Sequence, residues 1–253
     1  MFFQQRRKIL VIGATGGIGS AMSRLLLEQG HELFITSRDT VNEQCASLAK
    51  YAEQQAQSLS LLELDLSSQG SIAAAFNRLA GQTDRLHLVM NCTGLLHDAS
   101  MQPEKKLEDL EMENLQRSFQ VNSSAPLLIA RYALPLLQHD EPSVLANMSA
   151  RVGSISDNRI GGWYAYRAAK AAQNMATRSL AIELQRRSKN TIVVGLHPGT
   201  VDTGLSQPFQ SSVKPGQLQT PEQATQHLYT VINRLGSADS GKVFAWDGVE
   251  ILP

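Results

Sequence analysis

Tyr166 and Lys170 stand four residues apart in Trp163-Tyr-Ala-Tyr-Arg-Ala-Ala-Lys170. In a helix this spacing puts both side chains on one face, about 5–6 Å apart, so an ammonium lies beside a phenol whose ordinary pKa is about 10. A neighbouring positive charge favours the phenolate. A phenol so placed exchanges a proton near neutral pH, as the reduction of a carbonyl or the oxidation of an alcohol requires. Far upstream, Gly13-Ala-Thr-Gly-Gly-Ile-Gly19 lies between an apolar pentad and an amphipathic stretch. Helices carry Tyr and Lys at this spacing by chance and glycine-rich turns are common. The combination, in this order, implies dinucleotide-dependent redox chemistry.

The glycine run supplies the cofactor end. Gly13 directly follows the apolar pentad, and Gly16, Gly17, Ile18 and Gly19 open a helix. Missing side chains let backbone N–H groups and a helix N-terminus approach a pyrophosphate. At the end of the next apolar run, Ser37-Arg38 stands where a carboxylate would grip the ribose 2′-hydroxyl of NAD. A hydroxyl followed by a guanidinium suits a 2′-phosphate, so NADP is expected over NAD. Asp39 offers Arg38 a structural ion pair as the competing role, and the glycine loop holds no second basic residue.

The elements that must position these groups alternate short apolar runs with longer amphipathic ones, the pattern of βαβ units. Strands are expected near Lys8–Ile12, Glu32–Ser37, Ser60–Leu64, Leu86–Asn91, Ser143–Met148, Thr191–Leu196 and Lys242–Trp246. Helices are expected near Gly17–Glu28, Val41–Gln55, Ser68–Leu79, Leu107–Gln138, Trp163–Arg187 and Pro221–Leu235, with Pro126 and Pro135 kinking or ending the fourth. The fold class is therefore α/β: one Rossmann-like domain over residues 1–253, a doubly wound parallel sheet of about seven strands with helices on both faces. The segment from Gly204 to Gln219, with Pro208, Pro215 and Gly216, is expected to cover the pocket.

Lys plus Arg and Asp plus Glu both number 23, so no net field holds a nucleic-acid backbone or an anionic membrane. A small molecule is the expected partner. No apolar run has the length of a signal-peptide core or a membrane span, and Cys45 and Cys92 lack metal-type spacing; a soluble, cytoplasmic protein is expected. His31, His87, His97 and His197 have no partner spacing for a metal site, and none is expected.

The motifs jointly resemble the short-chain dehydrogenase/reductase superfamily, in its ordinary branch of about 250 residues, over nearly the whole chain. Gly13, Gly17 and Gly19 match its nucleotide loop, Asp65-Leu66 the pair that contacts adenine, and Asn91-Cys-Thr-Gly94 its Asn-Asn-Ala-Gly element. Pro198-Gly199-Thr-Val201-Asp-Thr203 resembles the segment that holds the nicotinamide carboxamide and pyrophosphate. Finer wording, such as Ser-Ala-Arg-Val-Gly-Ser-Ile-Ser-Asp-Asn158 and Phe244-Ala-Trp-Asp-Gly248, is similar to the C-factor-like subgroup.

The resemblance implies that Tyr166 is the acid/base, that Lys170 binds the nicotinamide ribose and lowers the tyrosine pKa, and that Asn122 holds a water linking Lys170 to solvent. Relatives place a Ser-Ser pair at the end of the fifth strand, the second serine polarising the carbonyl. Here the pair reads Ser149-Ala150. Side chains alternate along a strand, but a bulge or bend can turn Ser149 inward, and Ser149 is expected to fill this catalytic position, with Ser154 as the alternative. The interval to Tyr166 is also longer than in the family.

Tyr164 lacks a lysine four residues on, and a pocket-lining role is expected for it. The run Glu104–Glu113 reads as the solvated face of an amphipathic helix. Arg151, Asp157 and Arg159 either select a polar substrate or pair at the surface. The resemblance implies a homodimer or homotetramer through the helix with Ala165, Ala168, Ala169, Ala172 and Ala176. Two functions stand against each other: an NADP(H)-dependent oxidoreductase acting on a carbonyl or alcohol, and a nucleotide-binding regulatory protein with weak catalysis.

Overall fold

The computed structural model describes residues 1–253. Seven parallel strands form one sheet in the order β3-β2-β1-β4-β5-β6-β9. Their bounds are β1 Lys8–Ile12, β2 Glu32–Ser37, β3 Leu59–Glu63, β4 Leu88–Asn91, β5 Ser143–Met148, β6 Thr191–His197 and β9 Val243–Ala245. The order reverses between β1 and β4, which opens a crevice at their carboxyl ends.

Period-2 alternation divides the core. Ile9 and Val11 of β1 face one cluster with Met22, Leu26, Leu48 and Leu228, while Leu10 and Ile12 face the other with Ile72, Phe76, Ile129 and Leu184. The first face carries α1 (Gly17–Glu28), α2 (Glu43–Gln54) and α7 (Pro221–Arg234); the second carries α3 (Gln69–Ala80), α5 (Ala125–Leu137) and α6 (Tyr164–Arg187). Local caps start three of these helices: Asn42 accepts from Cys45 N, Ser68 from Ser71 N, and Thr220 forms a capping box with Gln223.

The sheet of about seven strands and the helices on both faces are as the sequence predicts. The fourth helical region, expected near Leu107–Gln138 with Pro126 and Pro135 kinking or ending it, starts later and is irregular next to Pro126. A 3₁₀ turn at Leu107–Asp109 precedes α4 (Met112–Phe119), and a π turn at Gln120–Ser124 joins α4 to α5, with helical dihedrals kept at both junctions. Pro126, which has no N–H to give, comes just after the π turn, and Pro135 lies in the last turn of α5. The sequence also gave no sign of a second, two-stranded sheet. There β7 (Thr200–Val201) pairs in parallel with β8 (Leu218–Gln219) and closes the base of the loop between them.

Candidate active site

The crevice at the strand reversal is a cleft of about 1150 Å³ that runs from the glycine turn to Tyr166 and Lys170. At its first end Gly13 takes φ +79°, a left-handed conformation that glycine adopts without strain. A Cβ on Gly19 would lie 2.2 Å from the Gly13 carbonyl oxygen, and one on Gly17 would lie 2.6 Å from the Thr203 methyl. Gly16, the N-cap of α1, has nothing nearer than 3.5 Å. The turn is thus closed on its protein side, and Gly16, Gly17 and Ile18 face the cleft at a helix N-terminus.

The second strand delivers Ser37 and Arg38 to the same cleft. The Ser37 hydroxyl is spent on the turn, donating to Asp39 O at 2.6 Å and accepting from Asn42 Nδ2 at 3.1 Å. Asp39 does not pair with Arg38; its Oδ1 accepts from Val41 N at 3.0 Å. The exposed Arg38 guanidinium is therefore available to the cleft. Asp65 accepts from Ser67 N and Ser67 Oγ, bonds that hold its carboxyl below the usual range, and Leu66 lines the cleft beside it.

Asn91 is fully buried, donating to Asn147 Oδ1 at 3.1 Å and accepting from Thr93 N and Oγ1. It shapes the loop in which Gly94 lies within 4 Å, measured from a built Cβ, of both Asn122 Oδ1 and Lys170 Nζ. Asn122 sits in the π turn with its amide fully engaged: Oδ1 accepts from Leu95 N at 2.9 Å, and Nδ2 donates to Leu95 O and Ser118 Oγ. A water link through Asn122 would have to use its main chain.

Tyr166 and Lys170 are buried together on α6. Lys170 Nζ lies 5.6 Å from the Tyr166 ring centroid and donates to Met148 O at 2.6 Å and Gln173 Oε1 at 3.3 Å. Its partners are neutral, so burial lowers Lys170 to about 7. Burial also pushes the Tyr166 phenol well above its ordinary range. Burial thus moves the two groups in opposite directions, the phenol up and the amine down.

Both candidate serines make hydrogen bonds within the protein. Ser149 lines the cleft, but its hydroxyl donates to Asn174 Oδ1 at 2.6 Å, toward α6. No bend turns that proton inward. Ser154 Oγ donates to Leu252 O at 2.6 Å and accepts from Asp157 N at 3.3 Å. Neither serine has its proton free for a substrate oxygen.

The far wall is formed around Gly199 and the β7–β8 base. Gly199 takes φ +82°, and a Cβ there would meet Gln219 Nε2 at 2.4 Å and the Trp246 ring at 2.9 Å. Gln219 Nε2 donates to Pro198 O at 3.1 Å, and Val201 O accepts from Ser206 Oγ at the start of the following loop. That loop closes on aromatic rings: Phe209 lies edge-on to Trp163 at 4.9 Å and to His97 at 5.6 Å, and Leu205 O is 3.1 Å from His97 Nε2. Arg151 pairs with Asp157 at 3.5 Å, both half-exposed. His197 lines the cleft, lowered to about 4 chiefly by burial, with its Nδ1 buried and unpaired.

The sequence did not mark Trp163 or Glu104. Trp163 precedes α6 with φ 50°, ψ 44°, after Gly161 and Gly162 at φ +71° and +64°. A bulky residue in this region stores about 1–3 kcal/mol. The Gly-Gly pair was the available signal. Glu104 offered none: it belongs to the run expected to face solvent, yet it is 3% exposed. No group of three or more His, Cys, Asp or Glu side chains is arranged to hold a metal, and no helix is long and apolar enough to cross a membrane.

Known proteins agree with this geometry. A family profile described as short chain dehydrogenase matches residues 7–214. The chain is 30% identical to the 1-hydroxy-2-glutathionyl-2-methyl-3-butene dehydrogenase of Rhodococcus sp. (strain AD45), over 95% of this chain and 96% of that one. It is 34% identical to the C-signal protein of Myxococcus xanthus, over 57% of this chain and 82% of that one. Among solved structures it is similar to the NADPH-bound carbonyl reductase from chicken fatty liver, with a TM-score of 0.86, 25% identity and coverage of 98% and 100%. Profile, relatives and backbone agree, and the chain belongs to the short-chain dehydrogenase family.

Proposed function

We propose that the protein is an NADP(H)-dependent oxidoreductase that interconverts a carbonyl compound and an alcohol. One observation carries this reading: the buried Tyr166–Lys170 pair and the open glycine turn share one continuous cleft. The residues suit a dinucleotide phosphate. Gly13, Gly16, Gly17, Ile18 and Gly19 offer the pyrophosphate bare backbone, and Arg38, free of Asp39, offers a fork to the 2′-phosphate. Ser37 shapes that turn, Asp65 and Leu66 border the adenine side, and Asn91, Gly94, Pro198, Gly199, Val201 and Thr203 frame the nicotinamide side. The bound nicotinamide supplies hydride chemistry at the substrate carbon.

In the reducing direction Tyr166 Oη, held protonated by burial, gives its proton to the carbonyl oxygen. Lys170, brought to about 7, binds the ribose and exchanges protons behind the phenol. Asn122 fixes the Leu95 loop against this pair, and a water on its main chain would connect Lys170 to solvent. Ser149 is assigned no polarising bond here; it anchors α6 through Asn174. The loop from Gly204 to Gln219 is proposed to cover the substrate. Of the α6 alanines expected to meet a partner helix, Ala165, Ala169 and Ala176 are instead buried within the chain, so the exposed Ala168, Met175 and Ile182 are proposed to pair in a homodimer or homotetramer.

The test is NADPH oxidation by the purified protein across a panel of aldehydes, ketones and diketones. Turnover with at least one class, above the rate with NADH, is the expected result. A regulatory, weakly catalytic role is the second reading, favoured by the engaged Ser149 hydroxyl and the similarity to C-signal. Tight NADPH binding with no turnover across the panel would select it.

A further inference from the structure

We propose that Glu104 is a positioning residue for Tyr166: its buried carboxylate, reaching from the loop after β4, caps α6 at Ala165, two residues beyond the point where its own main-chain oxygen ties down Trp163. The proposal rests on the reading of Tyr166 as the proton-transfer group. An α-helix leaves its first N–H groups without intrahelical partners. Trp163, the N-cap of α6, cannot satisfy them, because its indole only donates. Glu104 does so from a distant segment. Its Oε2 accepts from Ala165 N at 3.2 Å, and its main-chain oxygen accepts from Trp163 N at 2.5 Å.

Space and charge agree with this role. A Cβ on Gly162 would lie 3.3 Å from Glu104 O, a tight contact that, with φ +64°, favours glycine beside Glu104. Glu104 forms no ion pair; its carboxylate faces the N-terminus of a 24-residue helix, where negative charge is favoured. Arg167 closes the other side, donating to Gly161 O at 3.2 Å and Gly162 O at 3.0 Å. The left-handed run Gly161–Trp163 is therefore held from both flanks. Ala165 directly precedes Tyr166, and the Trp163 ring lies edge-on to the Tyr166 ring at 6.4 Å. Removing the cap frees this turn and moves the phenol, while the glycine turn at the other end of the cleft is untouched.

Three variants test the proposal. Glu104→Gln keeps an acceptor oxygen in place, Glu104→Asp withdraws it by one methylene, and Glu104→Ala removes it. Misplacement of a reacting group predicts kcat lower by about 100-fold for Ala and about 10-fold for Asp, with Gln within about threefold of the parent. The NADPH Kd should stay within about twofold in all three. The chain has two tryptophans, so in a Trp246→Phe background acrylamide quenching reports Trp163 alone. It should rise about threefold or more for Ala and not for Gln. Parental kcat in Glu104→Ala, Gln as impaired as Ala, or unchanged quenching in Ala would overturn the proposal. If the Ala variant does not fold, Gln and Asp decide, and Asp more active than Gln rejects it. If the parent shows no turnover, the functional reading fails, while Trp163 quenching still tests the cap.

Discussion

The two ends of the sheet treat buried ionisable groups in opposite ways. At the amino end, Arg7 is 8% exposed and bonds Glu141 at 2.8 Å, Arg85 bonds the other Glu141 oxygen at 3.2 Å, and His87 Nε2 is 3.2 Å from Glu141. Consecutive amides at the entry to β1 donate to imidazoles there, Arg7 N to His31 Nδ1 and Lys8 N to His87 Nδ1. At the carboxyl end, Lys170 and Tyr166 are buried and His197 is partly buried, none of them in an ion pair, and the cleft opens beside them. Charge at the amino end is mostly paired, with His31 the exception, its Nε2 buried without a partner. At the carboxyl end the unpaired groups border the cleft with shifted pKa values, the state that proton chemistry uses. Substitutions at one end should therefore change stability and at the other activity.

The largest separation is expected from Gly19→Ala. The new Cβ must displace the backbone at Gly13, so NADPH affinity should fall by about 100-fold. Titration of cofactor fluorescence measures this, and affinity within about threefold of the parent would show that the turn is not built as described.

Glu141→Ala probes the other end. It strips Arg7 of its carboxylate, and because Glu141 is partly exposed the loss should be about 1–3 kcal/mol. For a chain of this size that is a Tm drop of about 2–10 °C. In the separation argued here, kcat/KM at low temperature should be unchanged.

Arg38→Ala should lower the preference for NADPH over NADH by about tenfold, one charge-assisted contact, read from the ratio of the two Kd values. An unchanged ratio would remove Arg38 from the 2′-phosphate site.

The smallest effect is a pH slope. His31 is held at about 4 by burial first and Arg7 second, and His87 is lowered by burial. Both stay neutral in the fold while the unfolded chain gains protons below about 6.5. Stability is therefore full above that pH and falls as pH drops toward 4. Denaturant midpoints should decline across this window, less steeply in His31→Gln; an equal slope would exclude His31 as a source.

What was legible in the sequence follows the same division by range. The apolar run at Lys8–Ile12, the glycines after it and the Tyr166–Lys170 spacing are local patterns, and the structure keeps all three. The Asn122–Leu95 bonds, the Ser149–Asn174 bond and Glu104 capping α6 join residues tens of positions apart. A charged run signals solvent unless a distant helix end needs an acceptor, and nothing near Glu104 states that need. The burial that raises Tyr166 likewise depends on how deeply α6 packs, which spacing does not encode.

The central claim is that Tyr166 handles the proton in a cleft whose cofactor end is built independently. Steady-state kcat and NADPH Kd of Tyr166→Phe test it together. The account predicts that kcat falls by about 10³-fold or more, within the range for loss of a general acid, while Kd stays within about twofold. Turnover within about tenfold of the parent would contradict it.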